Sequence, residues 1–140
     1  MSFALMRINR EYGYLMTNSS NYWSLRPKED IFTWEGNIHN LDDPRHVGKN
    51  YSLEIVFAEN HPFKPPKVRF TTPIECENVY PDGEVCIDVL NNAWSPAILL
   101  HQLMFSICSV LTDAPVTGLP HKPKPRVPKK RRTEAELLRD

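Results

Sequence analysis

The hydrophobic residues near the N-terminus recur at the spacing of one helix face. The stripe consists of Leu5, Ile8, Tyr12 and Leu15. Ser2 precedes the stripe and is a residue type that caps a first helical turn. We expect the charged residues Arg7, Arg10 and Glu11 to lie on the other faces. The pattern therefore predicts an amphipathic helix that ends at the polar run 18–21.

Apolar and polar residues then alternate up to residue 70, which is typical of half-buried strands. The alternating positions are Phe32, Trp34 and Ile38, then Tyr51, Leu53, Ile55 and Phe57, and then Val68 and Phe70. Residues 22–25 are predicted to add a short first strand. The connections are too short for crossover helices, so we expect an antiparallel meander of about four strands.

A second helix is predicted to begin at Ser95-Pro96, because serine favours the cap position and proline the first helical position. Its wide apolar stripe indicates a central helix packed on the sheet. The stripe consists of Leu99, Leu100, Leu103, Met104, Ile107, Cys108 and Leu111. Residues 113–115 are predicted to end it. The predicted fold class is α+β: an N-terminal helix, a four-stranded antiparallel meander and a central helix packed on the sheet.

The composition fits one globular domain, since 41% of the 140 residues are hydrophobic and 24% are charged. We expect no membrane association, because no apolar run is long enough for a span and no signal peptide is recognised. Three cysteines without framework spacing favour a reducing setting, in the cytoplasm or the nucleus.

The net charge of zero hides a basic C-terminal end. Residues 121–140 carry eight Lys/Arg and three Asp/Glu, a charge of +5, which leaves −5 for the rest of the chain. We therefore predict a core domain at 1–120 and a flexible, proline-rich basic tail at 121–140. The tail is either an interaction arm or a solubilising end. Within it, 129–132 would serve as a nuclear address, an acidic-partner site or a self-modification site. It lacks interleaved aromatic residues, so we expect no specific nucleic-acid binding.

The most informative stretch is residues 83–97, which places Cys86 in a short apolar segment after a Pro-Asp-Gly turn. A buried structural cysteine is the plain alternative, and Cys108 on the helix stripe fits that role better. No histidine carries a recognisable cysteine-hydrolase motif. The Cys86 thiol therefore suits exchange with an already activated thioester. Asn78 would donate an N–H to the developing oxyanion, although an asparagine that caps a loop turn is a common alternative.

Other chemistries are disfavoured by the motifs. The three cysteines form no C-x-x-C pair, so we predict no metal site. No phosphate-binding glycine motif or nucleotide fingerprint is present, so no cofactor is expected.

Residues 61–72 and 83–111 resemble the ubiquitin-conjugating enzymes, which pass ubiquitin or a related modifier through a cysteine thioester. The run His61-Pro-Phe-Lys-Pro-Pro-Lys-Val-Arg-Phe-Thr-Thr72 is similar to the family's proline-rich turn and fourth strand. Residues 83–97 are similar to its active-site block and 106–111 to its central helix. The resemblance covers roughly residues 3–120 in element order. It implies that Cys86 is the thioester cysteine, that Asn78 supports the oxyanion during attack by a lysine, and that Asp88 lines the entry path of that lysine.

The resemblance also implies three partner surfaces. A ligase would meet Phe63, Pro96 and Ala97; the activating enzyme or a ligase would meet Arg7 and its helix; and the donor modifier would lie on Gln102, Phe105 and Ser109. The implied partners are ubiquitin or a ubiquitin-like modifier, an activating enzyme, a ligase and a protein substrate. The activating enzyme, not this chain, would use ATP.

The chain departs from the family pattern at three places. Cys76-Glu77 stand where His-Pro usually precedes the asparagine, 116–118 supply no acidic residue after the central helix, and 120–140 are too short for the usual two C-terminal helices. Our preferred interpretation is an active conjugating enzyme that transfers the modifier to a lysine or a ligase. The alternative is a catalytically weakened member that acts as a binding scaffold. A third interpretation is a member dedicated to another modifier.

Overall fold

The computed structural model describes residues 2–112, which contain two helices and one four-stranded sheet. In chain order the elements are α1 (Phe3–Thr17), β1 (Trp23–Pro27), β2 (Thr33–Ile38), β3 (Tyr51–Val56), β4 (Lys67–Phe70), a 3₁₀ turn (Asp88–Leu90) and α2 (Leu100–Thr112). No helix within 2–112 is long and apolar enough to cross a membrane. The predicted helix end at 113–115, the domain boundary at 120, the tail and the expected loss of C-terminal helices lie outside the described residues.

Helix α1 begins as predicted, because the Ser2 hydroxyl accepts a hydrogen bond from the Leu5 N–H at 3.0 Å. Ile8 on the apolar stripe is fully buried. The prediction that Arg7 and Glu11 lie on other faces is wrong. Glu11 is only 5% exposed, because residues three apart share a helix face and Ile8 turns that face inward.

The four strands form an antiparallel sheet in sequence order, so the predicted meander is confirmed. Trp34, Ile55 and Val68 stand in one register row and are all fully buried. Side chains alternate along each strand, so the neighbouring row faces outward. That row carries Glu54, which pairs with Lys28 and Arg69.

Helix α2 packs its apolar side into the same core as the sheet. Its buried residues are Leu100, Leu103, Met104, Ile107 and Leu111. The predicted start at Ser95-Pro96 is wrong by several residues. The Ser95 carbonyl accepts the Ile98 N–H at 3.0 Å and its hydroxyl accepts the Ala97 N–H at 3.1 Å, which makes a separate turn. The Gln102 side chain then accepts the Leu99 N–H at 2.9 Å, just before the helix.

Candidate functional site

Part of the segment between β4 and α2 folds back on itself and is held by a few individual backbone hydrogen bonds rather than by a continuous strand ladder. The Tyr80 N–H donates to Glu84 at 2.9 Å, and Val79 forms an isolated antiparallel bridge with Val85. The Val85 N–H donates to Val68 of β4 at 2.9 Å. This narrow hairpin therefore lies along the edge of the sheet and presents Cys86 just beyond it.

Gly83 is required at the turn of this hairpin. Its φ of +97° lies in the region that favours glycine, and a Cβ there would come 2.1 Å from the Phe70 carbonyl oxygen. The close approach lets the Phe70 N–H donate to the Gly83 carbonyl at 2.7 Å. The glycine of the Pro-Asp-Gly sequence therefore does more than form the turn, because it also lets the hairpin come within hydrogen-bonding distance of β4.

Cys86 and Asn78 face each other across the hairpin. The Cys86 N–H donates to the Asn78 carbonyl at 2.7 Å. The Asn78 side-chain Nδ2 donates to the Cys86 carbonyl at 3.3 Å. Both residues are half-buried. The structure therefore brings the two predicted residues together although they lie eight positions apart, and it leaves the second N–H of the Asn78 amide group available for another acceptor.

Tyr80 is a member of the site that the sequence reasoning missed. Its hydroxyl donates to the Cys86 Sγ at 3.5 Å, a weak hydrogen bond to sulfur. Tyr80 lies two residues after Asn78 on one side of the hairpin, so the two side chains share a face. The two-residue spacing from Asn78 was the signal in the sequence for Tyr80, but it could be interpreted only once this segment was known to form a hairpin.

Asp88 is the first residue of the 3₁₀ turn and is exposed. Its backbone carbonyl accepts the N–H groups of Asn91 and Ala93, both at 2.9 Å. The turn therefore starts two residues after Cys86 and leaves the Asp88 carboxylate in solvent beside the thiol segment. A carboxylate in that position favours an approaching ammonium group.

Cys108 differs from Cys86 in its surroundings. It lies on α2 against the core, and burial raises the pKa of its thiol to about 11. A thiol with such a pKa is ionised in roughly one molecule per thousand at pH 8. This agrees with the prediction that Cys108 is the structural cysteine.

A groove of about 1110 Å³ is lined by Asn78, by Cys76-Glu77 just before it, and by Arg45 and His46. The Cys76 carbonyl accepts the Val79 N–H at 3.0 Å, which makes the turn that delivers Asn78 to Cys86. His46 is buried; its Nε2 donates to the Leu111 carbonyl at 3.0 Å and its Nδ1 faces the Tyr51 hydroxyl at 2.8 Å. The turn at 76–79 therefore forms although Cys76-Glu77 replace the expected His-Pro pair.

Most of the predicted partner residues lie on the surface. Phe63 is 61% and Phe105 71% exposed. Pro96, Ala97 and Gln102 are exposed as well, and Ser109 is half-buried. Arg7 is the exception, because its guanidinium bonds to Glu11 and to the Ile98 carbonyl and its side chain is only 15% exposed. Within residues 2–112, no three His, Cys, Asp or Glu side chains come close enough to hold a metal ion.

Comparison with known proteins gives concordant matches to one family. A family model described as ubiquitin-conjugating enzyme matches residues 7–133, a range that includes Asn78, Cys86 and Asp88. The solved structure of human ubiquitin-conjugating enzyme E2 G1 has a TM-score of 0.75 to this chain at 28% identity. The match covers 79% of this chain and 94% of that one.

Proposed function

Since the chain belongs to the ubiquitin-conjugating enzyme family, we propose that it accepts ubiquitin or a ubiquitin-like modifier as a thioester on Cys86 and transfers it to a substrate lysine or a ligase. The observation that carries the proposal is the reciprocal pairing of Cys86 with Asn78 across one hairpin. This pairing puts the Asn78 amide group, a hydrogen-bond donor, beside the backbone carbonyl of Cys86, the residue whose thiol would be acylated.

The loading step is a thiol–thioester exchange. The Cys86 sulfur attacks the thioester carbonyl of the modifier on the activating enzyme, a new C–S bond forms, and the activating enzyme's thiolate leaves. The Cys86 proton passes to that leaving thiolate or to water. Tyr80 supports this step, because a hydroxyl that donates to Sγ stabilises negative charge on the sulfur. The chain needs no ATP of its own, since the modifier arrives already activated.

The unloading step moves the acyl group to nitrogen. A neutral lysine amine attacks the thioester carbonyl, an oxyanion develops, and the C–S bond then breaks with the electron pair returning to Cys86. Asn78 would donate an N–H to the oxyanion, and its 3.3 Å bond to the Cys86 carbonyl is long enough to exchange at little cost. The exposed carboxylate of Asp88 would attract the incoming ammonium and accept its proton.

Two surfaces would receive the protein partners. Phe63, Pro96 and Ala97 form an apolar, exposed set suited to a ligase. Gln102, Phe105 and Ser109 recur at helical spacing on one side of α2 and would receive the donor modifier. We keep the cytoplasm and the nucleus as the proposed locations.

The second candidate is a weakened member that binds partners without transferring the modifier to lysine. The replacement of the usual His-Pro by Cys76-Glu77 favours it. The retained Cys86, with Asn78 bonded to it, disfavours it.

Charging with activating enzyme, ATP and ubiquitin tests the proposal. We expect an adduct of one modifier by intact mass, which a thiol reductant removes. Failure of ubiquitin and of the common ubiquitin-like modifiers to charge the chain would make the proposal wrong. Charging without transfer to lysine, even with a ligase present, would support the weakened member instead.

A further inference from the structure

Glu11 is a buried carboxylate that the transfer chemistry does not use. Its Oε1 accepts the backbone N–H of Leu100, the first residue of α2, at 2.5 Å. Its Oε2 accepts the Arg7 Nε at 2.7 Å, and the Arg7 Nη2 donates to the Ile98 carbonyl at 2.8 Å. We call these four residues the Glu11 cluster. It connects α1 to the segment that leads into α2.

The cluster holds Glu11 in its charged form. Burial alone would raise the pKa of Glu11, but favourable interactions outweigh this and leave the pKa lowered. The nearby His61 Nε2 lies 3.9 Å from Oε2, which is beyond hydrogen-bonding distance. We therefore assign the lowered pKa mainly to the direct bonds from Leu100 and Arg7.

The segments around the cluster are those that display the proposed ligase surface. Ile98 closes the turn that carries Pro96 and Ala97. His61, 1% exposed, precedes Phe63 by two residues and packs against the Trp94 ring at 6.1 Å. The Trp94 Nε1 donates to the Pro62 carbonyl at 2.9 Å, which joins the two segments. The cluster therefore lies directly behind both parts of that surface.

We propose that Glu11 and Arg7 are positioning residues for ligase docking, and that Arg7 acts through Glu11 and Ile98 rather than by offering its charge to a partner. The inference rests on the proposed function, because it takes Phe63, Pro96 and Ala97 as the ligase surface. The docking partner would present an apolar face, since the surface itself is apolar and exposed.

Two conservative variants separate this role from a direct contact. Arg7→Lys keeps the positive charge but loses the planar group that bonds Glu11 and Ile98 at once. Glu11→Gln keeps the side-chain shape, and at 5% exposure residue 11 cannot itself make a substantial partner contact. A direct contact through charge predicts that both variants behave as wild type. Positioning predicts that both fail alike.

The experiment measures discharge of the charged protein to free lysine against the concentration of a RING ligase domain. The domain is the one that most accelerates wild-type discharge in a panel. In both variants we expect the half-maximal ligase concentration to rise about tenfold, as for loss of one hydrogen bond to a charged group. In Glu11→Gln, discharge without ligase should stay within about twofold of wild type. The double variant should be no worse than the worse single one.

Arg10→Lys is the matched control, because Arg10 is exposed on the same helix. Amide hydrogen exchange gives a readout that does not need a ligase: exchange at 97–100 should accelerate in both variants while the sheet stays protected. The inference is wrong if Glu11→Gln has the same half-maximal ligase concentration and the same amide exchange as wild type. It is also wrong if the effects of the two variants on the ligase concentration are strictly additive. A wild type that never charges refutes the proposed function instead. A charged wild type that no ligase domain accelerates removes the ligase surface and the inference with it.

Discussion

The Cys86 site is half-buried and the Glu11 cluster surrounds a buried carboxylate, and their side-chain bonds differ as well. At Cys86 the side-chain bonds are weak: the bond from Asn78 to the Cys86 carbonyl is long at 3.3 Å, and the bond from Tyr80 has sulfur, a poor acceptor, at 3.5 Å. In the Glu11 cluster they are short, 2.5 to 2.8 Å, and involve full charges. Short charge-assisted bonds fix a geometry, whereas long neutral bonds exchange at little cost. The comparison teaches that the proposed reacting groups can exchange their bonds for bonds to a substrate. The groups behind the proposed docking surface are instead held in one geometry.

The largest expected effect is the loss of Cys86 itself. Cys86→Ala should abolish the reductant-sensitive adduct with ubiquitin, because the proposal loads the modifier on this thiol and not on the free thiols of Cys76 or Cys108. Cys108→Ala is the control and should still charge, since the raised pKa of Cys108 leaves it poorly reactive. Intact mass after incubation with activating enzyme and ATP measures both. An adduct that survives in Cys86→Ala would place the chemistry elsewhere.

The next effect concerns the long bond at Asn78. Asn78→Ala should still charge, but discharge of its thioester to free lysine should slow by about 10²–10³, the usual loss for one oxyanion donor. Single-turnover discharge followed by gel or mass gives the rate. Asn92→Ala, at an exposed asparagine of the same segment, is the matched control and should discharge as wild type. Equal rates in all three proteins would assign Asn78 a purely structural role.

Gly83→Ala tests the backbone that shapes the Cys86 site. The substitution places a Cβ 2.1 Å from the Phe70 carbonyl oxygen at a φ of +97°, so the hairpin must shift away from β4. We expect the free energy of unfolding to fall by about 3 kcal/mol, as for strain at a special backbone position. Gly13→Ala is the control, since nothing lies within 4 Å of its Cβ position in α1. It should be neutral or stabilise the helix. Equal stability of the two variants in urea would contradict this view of the hairpin.

The smallest effect concerns the pH dependence of the Glu11 cluster. The pKa of Glu11 is lowered from 4.5 in the folded state. Its contribution is therefore fully present above the unfolded pKa and is lost as the pH falls through the folded one. We expect wild type to lose more stability than Glu11→Gln over that acidic range, because only the wild-type carboxylate takes up a proton there. Urea unfolding at pH 7 and at stepwise lower pH measures the difference. Parallel pH profiles would show that the cluster adds no net stability through charge.

The sequence predicted those parts of the molecule that depend on local pattern. Alternation along 32–38 and 51–57 is sufficient for the meander, because each strand has one buried face. The relation of Cys86 to Asn78 also followed from the sequence, through the resemblance. The Glu11 cluster could not be predicted, since the Leu100 amide that makes Glu11 an interior residue lies 89 positions away. The start of α2 was misplaced for the same kind of reason, because serine and proline also favour the tight turn that the chain forms at 95–98.

The central claim is that Cys86 carries the modifier, and one variant tests it directly. Cys86→Ser replaces the thioester by an oxyester, which thiol reductants do not cleave. After charging and proteolysis we expect the remnant of the modifier's C-terminus at position 86 by peptide mass mapping, in an adduct that resists reductant. The wild-type adduct should disappear under the same reductant. A remnant at another residue with none at position 86 would contradict the account, as would the absence of a wild-type adduct when the activating enzyme itself is loaded.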